Sequence, residues 1–320
     1  MQHKHLPAHD PRITPEQGVS RDGQPLSYNR APAADLAPWI ARLYVAKTDA
    51  PEGHCLSCGL LNDTAFIRIQ LAGHWVAETA AGRVTHDRSA LFFGPQSRRM
   101  PISVTGGFVS LGISLRPGAC TVLKGPRIGD YLDRIVSVDE IVPAHAAALT
   151  TTQLLERFDP AAPSEDWLGE LERLVRLRVE RAGRPLPDPV AVRFETISFA
   201  DPTMSVIEAA REIGIDRRRL ERIVSRDFGL PPKQVLCRAR ALDMASHLRG
   251  VADADEAAAL ALRYYDDSHL IREFTGLFGM SPRQFAATPQ PLMTSALESR
   301  QARRLEALHR IEPGQSRPWE

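Results

Sequence analysis

Residues 204–228 read MSVIEAAREIGIDRRRLERIVSRDF, residues 256–274 read EAAALALRYYDDSHLIREF, and these two stretches decide the fold. Each predicts a short helix, a tight turn and a second, more polar helix. Two helices joined in this way form a helix-turn-helix, whose second helix fits the major groove of DNA. The chain is therefore expected to carry two such units in tandem near its C-terminus.

The first unit has the signals that begin and end its helices. Gly214 stands where a left-handed residue ends the first helix, and Asp216 supplies a side-chain acceptor for the free amides of the second. Apolar residues at helical spacing predict a buried stripe on the two helices, made by Val206, Ala209, Ala210, Ile213, Leu220, Val224 and Phe228. The outer face of the second helix is left with Arg217, Arg218, Glu221, Arg222 and Ser225.

These outer residues carry groups that can read DNA. A guanidinium fork donates to guanine O6 and N7 or to phosphate, while a carboxylate such as Glu221 accepts from cytosine N4. An arginine run such as Arg217–Arg219 is, taken alone, typical of a solvated face. The tandem arrangement favours DNA contact instead. Gly229 ends the unit, and Pro231-Pro232 lead into a connecting helix over about 233–248.

The second unit repeats this scheme with a shorter stripe. Its first helix contributes Ala257, Leu260 and Ala261. Asp266 or Ser268 can cap the second helix, on which Leu270 and Phe274 point inward. The outer face is left with Asp267, Ser268, His269, Ile271 and Arg272. A lone histidine on such a face is ordinarily a surface residue rather than a base reader.

Three stretches of the sequence carry a family resemblance. They are residues 264–274 (YYDDSHLIREF), residues 279–285 (GMSPRQF) and residues 216–222 (DRRRLER), the last of which leads to GLPP at 229–232. They resemble the C-terminal signature of AraC-type transcription regulators. The resemblance implies two helix-turn-helix subdomains, joined by a long helix, that enter successive major-groove segments on one DNA face. By position, it implies base contacts by Arg218, Glu221, Arg222, Asp267, Ser268, His269 and Arg272.

One position departs from that signature. The family usually has a glycine just before the aromatic residue that is Tyr264 here, and this chain has Arg263. A non-glycine residue held at positive φ costs about 1–2 kcal/mol, so the second turn is either strained or shaped differently. Because of this departure, a third alternative stays open: the chain has lost its DNA-binding function and acts only through protein contacts.

The N-terminal half contains short β-rich runs separated by glycine, proline and polar residues, a pattern typical of a small sheet or barrel. These runs are residues 66–71, 75–77, 90–93, 102–104 and 108–113. Helical segments are predicted at 118–123, 136–141 and about 144–158. The fold class is therefore α+β, with a β-rich domain in front of an all-α domain.

Prolines in the stretch AGRPLPDP at 182–189 remove amide donors and block regular helix, which predicts a domain boundary there. The predicted divisions are a sensor or dimerisation domain at 1–181, a linker at 182–203, the tandem units at 204–288 and a C-terminal tail at 289–320. Within the first domain, a β-rich core is predicted at about 60–116 and helices at about 117–181. The last residues, 313–320, are expected to fray.

Residues 93–96 (FGPQ) and 115–118 (LRPG) resemble a cupin-like sensor domain found in one branch of the AraC-type family. The resemblance implies a cavity for an apolar or aromatic effector, for which the candidates are Phe66, Trp75, Phe92 and Phe108. Aromatic residues at alternating strand positions are also typical of plain core. His74 and His86 form no His-x-His pair, so neither a metal-dependent cupin enzyme nor a cofactor is expected.

Residues 164–181 predict an amphipathic helix whose apolar face would aggregate if it were left exposed. The face is made by Trp167, Leu168, Leu171, Leu174, Val175 and Leu177. It should pack on the β-rich domain or on its own copy in another subunit, and a homodimer is the resulting hypothesis.

Cys55 and Cys58, preceded by His54, have the two-residue gap that lets thiolates chelate zinc or form a redox pair. Cys120 and Cys237 stand apart, so a second clustered pair is missing. The rival function is a DNA-repair alkyl acceptor or a metal-dependent enzyme that uses the Cys55/Cys58 pair. Some alkyl acceptors join a zinc-bound cysteine domain to AraC-type helices, but that architecture calls for four clustered thiolates.

The chain of 320 residues has a net charge of only +1, which favours base contacts over indiscriminate coating of DNA. Its N-terminus is polar and no apolar run approaches about 18 residues, so neither a signal peptide nor a membrane span is expected and the protein should be cytoplasmic. We predict a DNA-binding transcription regulator without enzymatic activity. Its candidate partners are double-stranded DNA, a small effector, a second copy of the chain and RNA polymerase.

Overall fold

The computed structural model describes residues 6–141, 149–253 and 268–320, and its N-terminal part is built on one antiparallel sheet. The strands are β1 (Thr14–Pro15), β2 (Tyr28–Arg30), β3 (Ile40–Asp49), β4 (Cys55–Leu60), β5 (Phe66–Thr79), β6 (Gly82–His86), β7 (Ser89–Phe93), β8 (Met100–Leu115) and β9 (Ile135–Ser137). They lie in the order β1-β3-β8-β5-β7-β9, with β2 on β3, β4 on β8 and β6 on β5. The predicted α+β fold is confirmed, although the sheet begins well before residue 60.

Strands β5 and β8 run beside each other through the centre of the sheet. β4 pairs with the first part of β8 and β3 with its second part. Gly106, at a φ of 75°, lies between the two parts and permits a change of direction there. The prediction of separate strands at 102–104 and 108–113 is wrong, because this glycine redirects the strand without ending it.

Short helices and one long helix complete the N-terminal part. They are α1 (Ala119–Val122), a 3-10 turn (Ile128–Tyr131), α2 (Val138–Ile141), α3 (Thr151–Leu155) and α4 (Ser164–Arg181). The predicted helix over 136–141 is only partly right, because Val136 belongs to β9 and pairs with Phe92 of β7. The first residues of the helix predicted over 144–158 lie outside the described ranges.

Helix α4 has the predicted boundaries and covers one face of the sheet. Its Trp167, Leu168 and Leu171 share a buried core with Leu43 of β3 and Leu111 of β8. Of the two partners expected for this apolar face, the chain's own sheet is the one found. The homodimer stays a prediction.

The C-terminal part is helical. Its helices are α5 (Pro189–Ala200), α6 (Val206–Ile213), α7 (Arg217–Phe228), α8 (Pro232–Leu248), α9 (Ser268–Phe278), α10 (Pro282–Ala287) and α11 (Pro291–Ala307). Helix α5 lies inside the segment predicted as a linker, where Pro189 occupies the first turn and so starts a helix instead of blocking one. Its Phe194 packs edge-on against Phe228 of α7, with 5.5 Å between ring centroids. This stretch therefore belongs to the core of the first unit.

The second unit is described from its second helix onward. Phe274 and Phe278 of α9 stack on each other at 4.2 Å between centroids, and both meet Phe285 of α10. Helices α9 and α10 also contact α8. The predicted first helix of this unit, with its apolar stripe and the turn at Arg263, falls at 254–267, outside the described residues.

Helix α11 occupies the predicted C-terminal tail and contacts β3, β4 and α8. The expectation that residues 313–320 fray is wrong. Trp319 is only 2% exposed, and its carbonyl accepts a hydrogen bond from the Arg21 amide at 3.1 Å. A buried indole removes enough apolar surface from water to anchor a chain end. In the part of the chain that the structure describes, no helix is both long and apolar enough to cross a membrane.

A buried ion network joins the N-terminal and C-terminal parts. The carboxylate of Asp63, just after β4, accepts hydrogen bonds from Arg300 at 3.1 Å and Arg303 at 2.6 Å, both on α11. Arg300 also donates to Asp243 of α8 at 2.5 Å. Arg238 of α8, which is 1% exposed, donates to the Asp63 carbonyl oxygen at 2.7 Å. Charged groups as well as apolar ones therefore hold α8 and α11 on the sheet domain.

Candidate DNA interface

The turn between α6 and α7 is formed by local signals at both helix ends. Ser205 caps α6 in a reciprocal pair with Glu208, and Gly214 ends that helix at a φ of 79°, in the left-handed region. Asp216 caps α7 by accepting from the Arg219 amide at 2.9 Å. The predicted roles of Gly214 and Asp216 are confirmed. Together they set the angle at which α7 leaves the turn.

We expect Asp216→Ala to lower the free energy of unfolding by about 1 kcal/mol, because the Arg219 amide loses its side-chain acceptor. A urea titration followed by tryptophan fluorescence measures this. Asp216→Asn is the matched control, since it removes the charge but keeps an acceptor and should remain close to wild type. Equal destabilisation by both substitutions would contradict a capping role.

The outer face of α7 is exposed as predicted, with its inward stripe buried in the first unit. Arg217 donates to Glu221 at 2.8 Å, one helical turn away. Glu221 is half-buried, and this pairing occupies part of its acceptor capacity. Arg218 and Arg222 are exposed and form no hydrogen bond or ion pair with any residue that the structure describes. These two guanidinium groups are therefore available to a ligand outside the chain.

The far end of α7 is docked on the N-terminal part. Asp227 is buried and accepts from Thr121 of α1 at 2.8 Å. Arg226 pairs with the same carboxylate and with Asp188, and these carboxylates raise the pKa of its guanidinium. Helix α7 also contacts the 3-10 turn of the N-terminal part. Only the first two turns of α7 therefore present a free charged face, and the first residues of a recognition helix are those that reach base edges.

In the second unit, Ser268, His269 and Arg272 are exposed on α9. Nε of Arg272 donates to the Ser268 carbonyl at 3.0 Å, within the helix itself. Nδ1 of His269 lies 3.6 Å from the Glu273 carboxylate. Asp267, the remaining predicted base contact of this unit, lies outside the described residues. The structure thus places three of the four second-unit candidates on one exposed helix.

Helix α8 connects the two units, because both α7 and α9 pack against it. Arg240 of α8 holds the second helix of the second unit through Glu273 of α9, with nitrogen-to-oxygen distances of 2.8 and 3.1 Å. The same guanidinium donates to the Pro202 carbonyl at 2.6 Å. A half-buried arginine with three acceptors is a rigid link, which suits a helix that spaces two DNA-reading elements.

Arg219, which belongs to the predicted arginine run, is exposed, and so are Lys233 and Arg283, which were not among the predicted contacts. The last two occupy equivalent positions in an internal repeat, GLPPKQ at 229–234 and GMSPRQ at 279–284. In both copies the glycine has a positive φ and the proline begins a helix. Comparison of the two units with each other could have found these residues from the sequence.

The effector-pocket candidates are only partly brought together. Phe66, Trp75 and Phe108 line a cleft between the sheet and α11. Phe92 lies elsewhere, in a small core with Cys120 and Ile128, and its ring meets Tyr131 edge-on at 5.6 Å. It alternates with Phe93 along β7, so the two side chains must point to opposite faces of the sheet.

The two clustered thiols do not form a chelating pair. Cys55 is exposed and Cys58 buried, in a strand whose residues alternate between the two faces. The Cys58 thiol lies 3.5 Å from the Gln290 side-chain oxygen, and burial raises its pKa. A thiol that stays protonated is a poor nucleophile and metal ligand. This geometry argues against the alkyl-acceptor alternative.

Comparison with known proteins bears on the C-terminal part. A family described as "Helix-turn-helix domain" matches residues 209–288. No curated protein matches the chain. Among solved structures, ToxT from Vibrio cholerae is 9% identical, with 76% of this chain and 97% of ToxT covered and a TM-score of 0.44. The AraC-like transcriptional activator CuxR is 14% identical, with 62% and 76% covered and a TM-score of 0.26.

Both structural similarities are too weak to support an argument about function. The domain match and the geometry of α6 and α7 instead agree on the same segment of the chain. The match begins inside α6 and extends over α8, α9 and α10, so it covers most of the first predicted unit and all of the second. The C-terminal part of this chain therefore carries a helix-turn-helix domain, as the resemblance to AraC-type transcription regulators implied.

Proposed function

We propose that this regulator binds one operator through two successive major-groove segments, with α7 in the first and α9 in the second. The observation that carries the proposal is that Arg218 and Arg222, on a capped recognition helix, are exposed and have no partner among the residues that the structure describes. An arginine without an internal partner loses no ion pair when it binds guanine or phosphate. Its contact with DNA is therefore gained at the cost of hydration and side-chain freedom alone.

Within this proposal, the residues of the first unit divide by chemistry. Arg218 and Arg222 read bases, since their guanidinium forks match guanine O6 and N7. Arg217 and Glu221 are already paired, so Glu221 contributes to base reading only where Arg217 turns to a phosphate. The exposed cations Arg219, Lys233 and Arg283 are assigned to phosphates, which position the protein without specifying sequence.

The second unit extends the footprint. We assign base or backbone contacts there to Asp267, Ser268, His269 and Arg272, as the positional resemblance implies. Arg272 and Ser268 are polar and exposed on α9, and the stacked phenylalanines behind them keep the helix rigid. A rigid helix loses little conformational freedom on binding.

The N-terminal part would serve as the effector-responsive part, through the cleft lined by Phe66, Trp75 and Phe108. We propose that the protein acts in the cytoplasm without catalytic chemistry. A homodimer and contact with RNA polymerase complete the proposal.

Arg222→Ala should weaken operator binding by about 1–3 kcal/mol and relax discrimination at one base pair. The operator is first selected from random oligonucleotides with the wild-type protein, and affinities are then measured by fluorescence anisotropy. Arg173→Ala, which removes an exposed arginine from α4, is the charge-matched control and should leave affinity nearly unchanged. An equal loss on random DNA would reduce Arg222 to a phosphate contact.

A further inference from the structure

We infer that the first unit, together with α5, moves as one body against the N-terminal part, while the second unit stays fixed to the sheet. This motion is a property of the free protein and goes beyond the proposed DNA contacts. The two units differ in how they are held. An apolar core joins the second unit to the sheet, whereas charged and hydroxyl groups join the first unit to the N-terminal part.

The second unit shares one continuous core with the sheet. Phe274 of α9 and Phe285 of α10 belong to the same buried cluster as Leu56 of β4 and Phe66 of β5. Leu297 of α11 is buried in that cluster as well. Moving the second unit away from the sheet would expose large apolar side chains, and the free energy cost of this exposure rises with their area. The shared core therefore keeps the second unit on the sheet.

The first unit has a buried core of its own. Every fully buried member of this core lies between Val190 and Leu236, on α5 to α8 or in the turn after α7. Among the described residues of the N-terminal part, only the half-buried Leu132 packs against it. A body that keeps its core intact exposes little apolar surface when it moves, so the first unit can leave the N-terminal part without unfolding.

Charged and hydroxyl groups hold the first unit in place. Oε2 of Glu195 on α5 accepts from Arg116 at 2.6 Å, and Asp227 on α7 accepts from Thr121 at 2.8 Å. Arg238, near the start of α8, donates to two backbone carbonyls of the N-terminal part. Water offers equivalent partners to such groups once they are exposed, so each contact contributes much less net free energy than it would in isolation. Relative motion is the ordinary expectation for an interface of this polar kind.

The interface of the first unit is also incompletely packed. Two small cavities lie between the first unit and the N-terminal part, and both are lined by Thr64 and Phe228. At one of them, Oε1 of Glu195 and Nε of Arg238 are buried and have no hydrogen-bond partner among the described residues. Such atoms regain hydration when an interface opens, which lowers the cost of opening it. Nε of Arg99, beside the second unit, is in the same state, so the apolar core rather than these atoms distinguishes the two units.

Helix α8 contains the point at which the two bodies meet. Leu236 packs in the core of the first unit, whereas Ala241 packs in the core that the second unit shares with the sheet. Arg240, which lies between them, donates to the Pro202 carbonyl at 2.6 Å and to Glu273 of α9 at 2.8 Å. A bend of α8 at this point turns the first unit and changes the angle between α7 and α9, while Arg240 keeps the two units attached. Within the proposed function, the N-terminal part then sets which operator geometry the protein accepts, by holding or releasing the first unit.

The test measures distances by double electron–electron resonance in the full-length protein without DNA. Spin labels are attached through Gly169→Cys on α4 and either Ser225→Cys on α7 or Gly276→Cys on α9, in a background carrying Cys55→Ser and Cys237→Ala. The three label sites are exposed, and a Cβ at either glycine meets no atom within 4 Å. We expect a broad distribution with a second component for the 169–225 pair, and a single narrow distance for the 169–276 pair.

The double variant Thr121→Val/Glu195→Gln weakens the polar contacts of the first unit with little change in side-chain volume. It should raise the fraction of the second 169–225 component by about threefold or more and leave the 169–276 distance unchanged. Thr152→Val/Glu78→Gln makes the same two exchanges at exposed positions and is the matched control, which should give the wild-type distributions.

Equally narrow distributions for the two pairs in the wild-type background would overturn the inference, even if the double variant failed to fold. So would an unchanged 169–225 distribution in folded Thr121→Val/Glu195→Gln, or an equal response of both pairs to it. Operator binding is measured separately. A protein that binds no selected operator would remove the proposed function, whereas the distance measurements would still decide whether the first unit moves.

Discussion

Replacing Asp63 by asparagine is expected to lower the free energy of unfolding by about 3–5 kcal/mol. The Asp63 carboxylate is the shared acceptor for Arg300 and Arg303, which are almost fully buried on α11. Burial by itself raises the pKa of this carboxyl, but Arg303, Arg300 and Arg238 outweigh burial and hold the pKa below its usual value. The group is therefore ionised in the folded protein, and its neutral replacement leaves buried guanidinium charge uncompensated.

Urea unfolding at neutral pH measures this effect, with Glu170→Gln as the control. Glu170 also accepts from two arginines, but on the exposed surface of α4, so its loss should change stability by at most about 1 kcal/mol. Because the folded-state pKa of Asp63 is depressed, its contribution is present above pH 3.8 and is lost as the pH falls through the folded-state value. A change at neutral pH no larger than that of Glu170→Gln would contradict the role of Asp63 as the centre of the network.

The double replacement Arg218→Ala/Arg222→Ala should abolish most of the specific DNA affinity, with a loss of about 2–6 kcal/mol if the two contacts add. Both side chains are exposed and unpaired within the described residues, so their removal should leave the unfolding free energy within about 0.5 kcal/mol of wild type. A large loss of binding without a loss of stability distinguishes a DNA contact from a structural role.

Anisotropy titration on the selected operator and on random DNA measures this loss. The control is Arg157→Ala/Arg173→Ala, which removes the same charge from the exposed pairs that meet Glu170. This control should weaken both DNAs slightly and equally, through net charge alone. If it matched the loss produced by the α7 double variant, charge rather than position would explain the binding.

The elements that were predicted correctly are those specified by neighbouring residues. The cap at Asp216, the helix end at Gly214 and the boundaries of α4 each depend on residues within about two helical turns. The exposed arginines of α7 follow from the same periodicity, because the stripe through Leu220 and Val224 leaves only the opposite face for them. The sequence therefore predicts which residues lie on the buried and exposed faces of a helix such as α7, whose two ends are marked by Asp216 and Gly229.

The features that were missed depend on pairings distant in sequence. Asp63 and Arg303 look like ordinary polar residues until α11 packs beside β4. The sequence likewise does not indicate that Arg68 is buried against aromatic rings. Phe92 and Phe93 look alike in sequence, yet the alternation of the strand sends only Phe93 toward the Arg68 guanidinium. Helix α5 was hidden because the same prolines that break a helix interior also begin a helix.

The docked end of α7 indicates how the two parts of the protein could influence each other. Asp227 and Thr121 tie the recognition helix to α1, while α11 ties the cleft to α8. The helices that would contact DNA are thus anchored on the N-terminal part at two places. Any change in the packing of α11 must be accommodated by α8, on which both units rest.

Hydroxyl-radical footprinting on the selected operator tests most directly whether α7 and α9 occupy two successive major-groove segments. We expect two protected patches on one face of the duplex, separated by about one helical turn of 10 base pairs, with the patch under α7 lost in Arg218→Ala/Arg222→Ala. A single patch of one groove width, or two patches on opposite faces of the duplex, would contradict it.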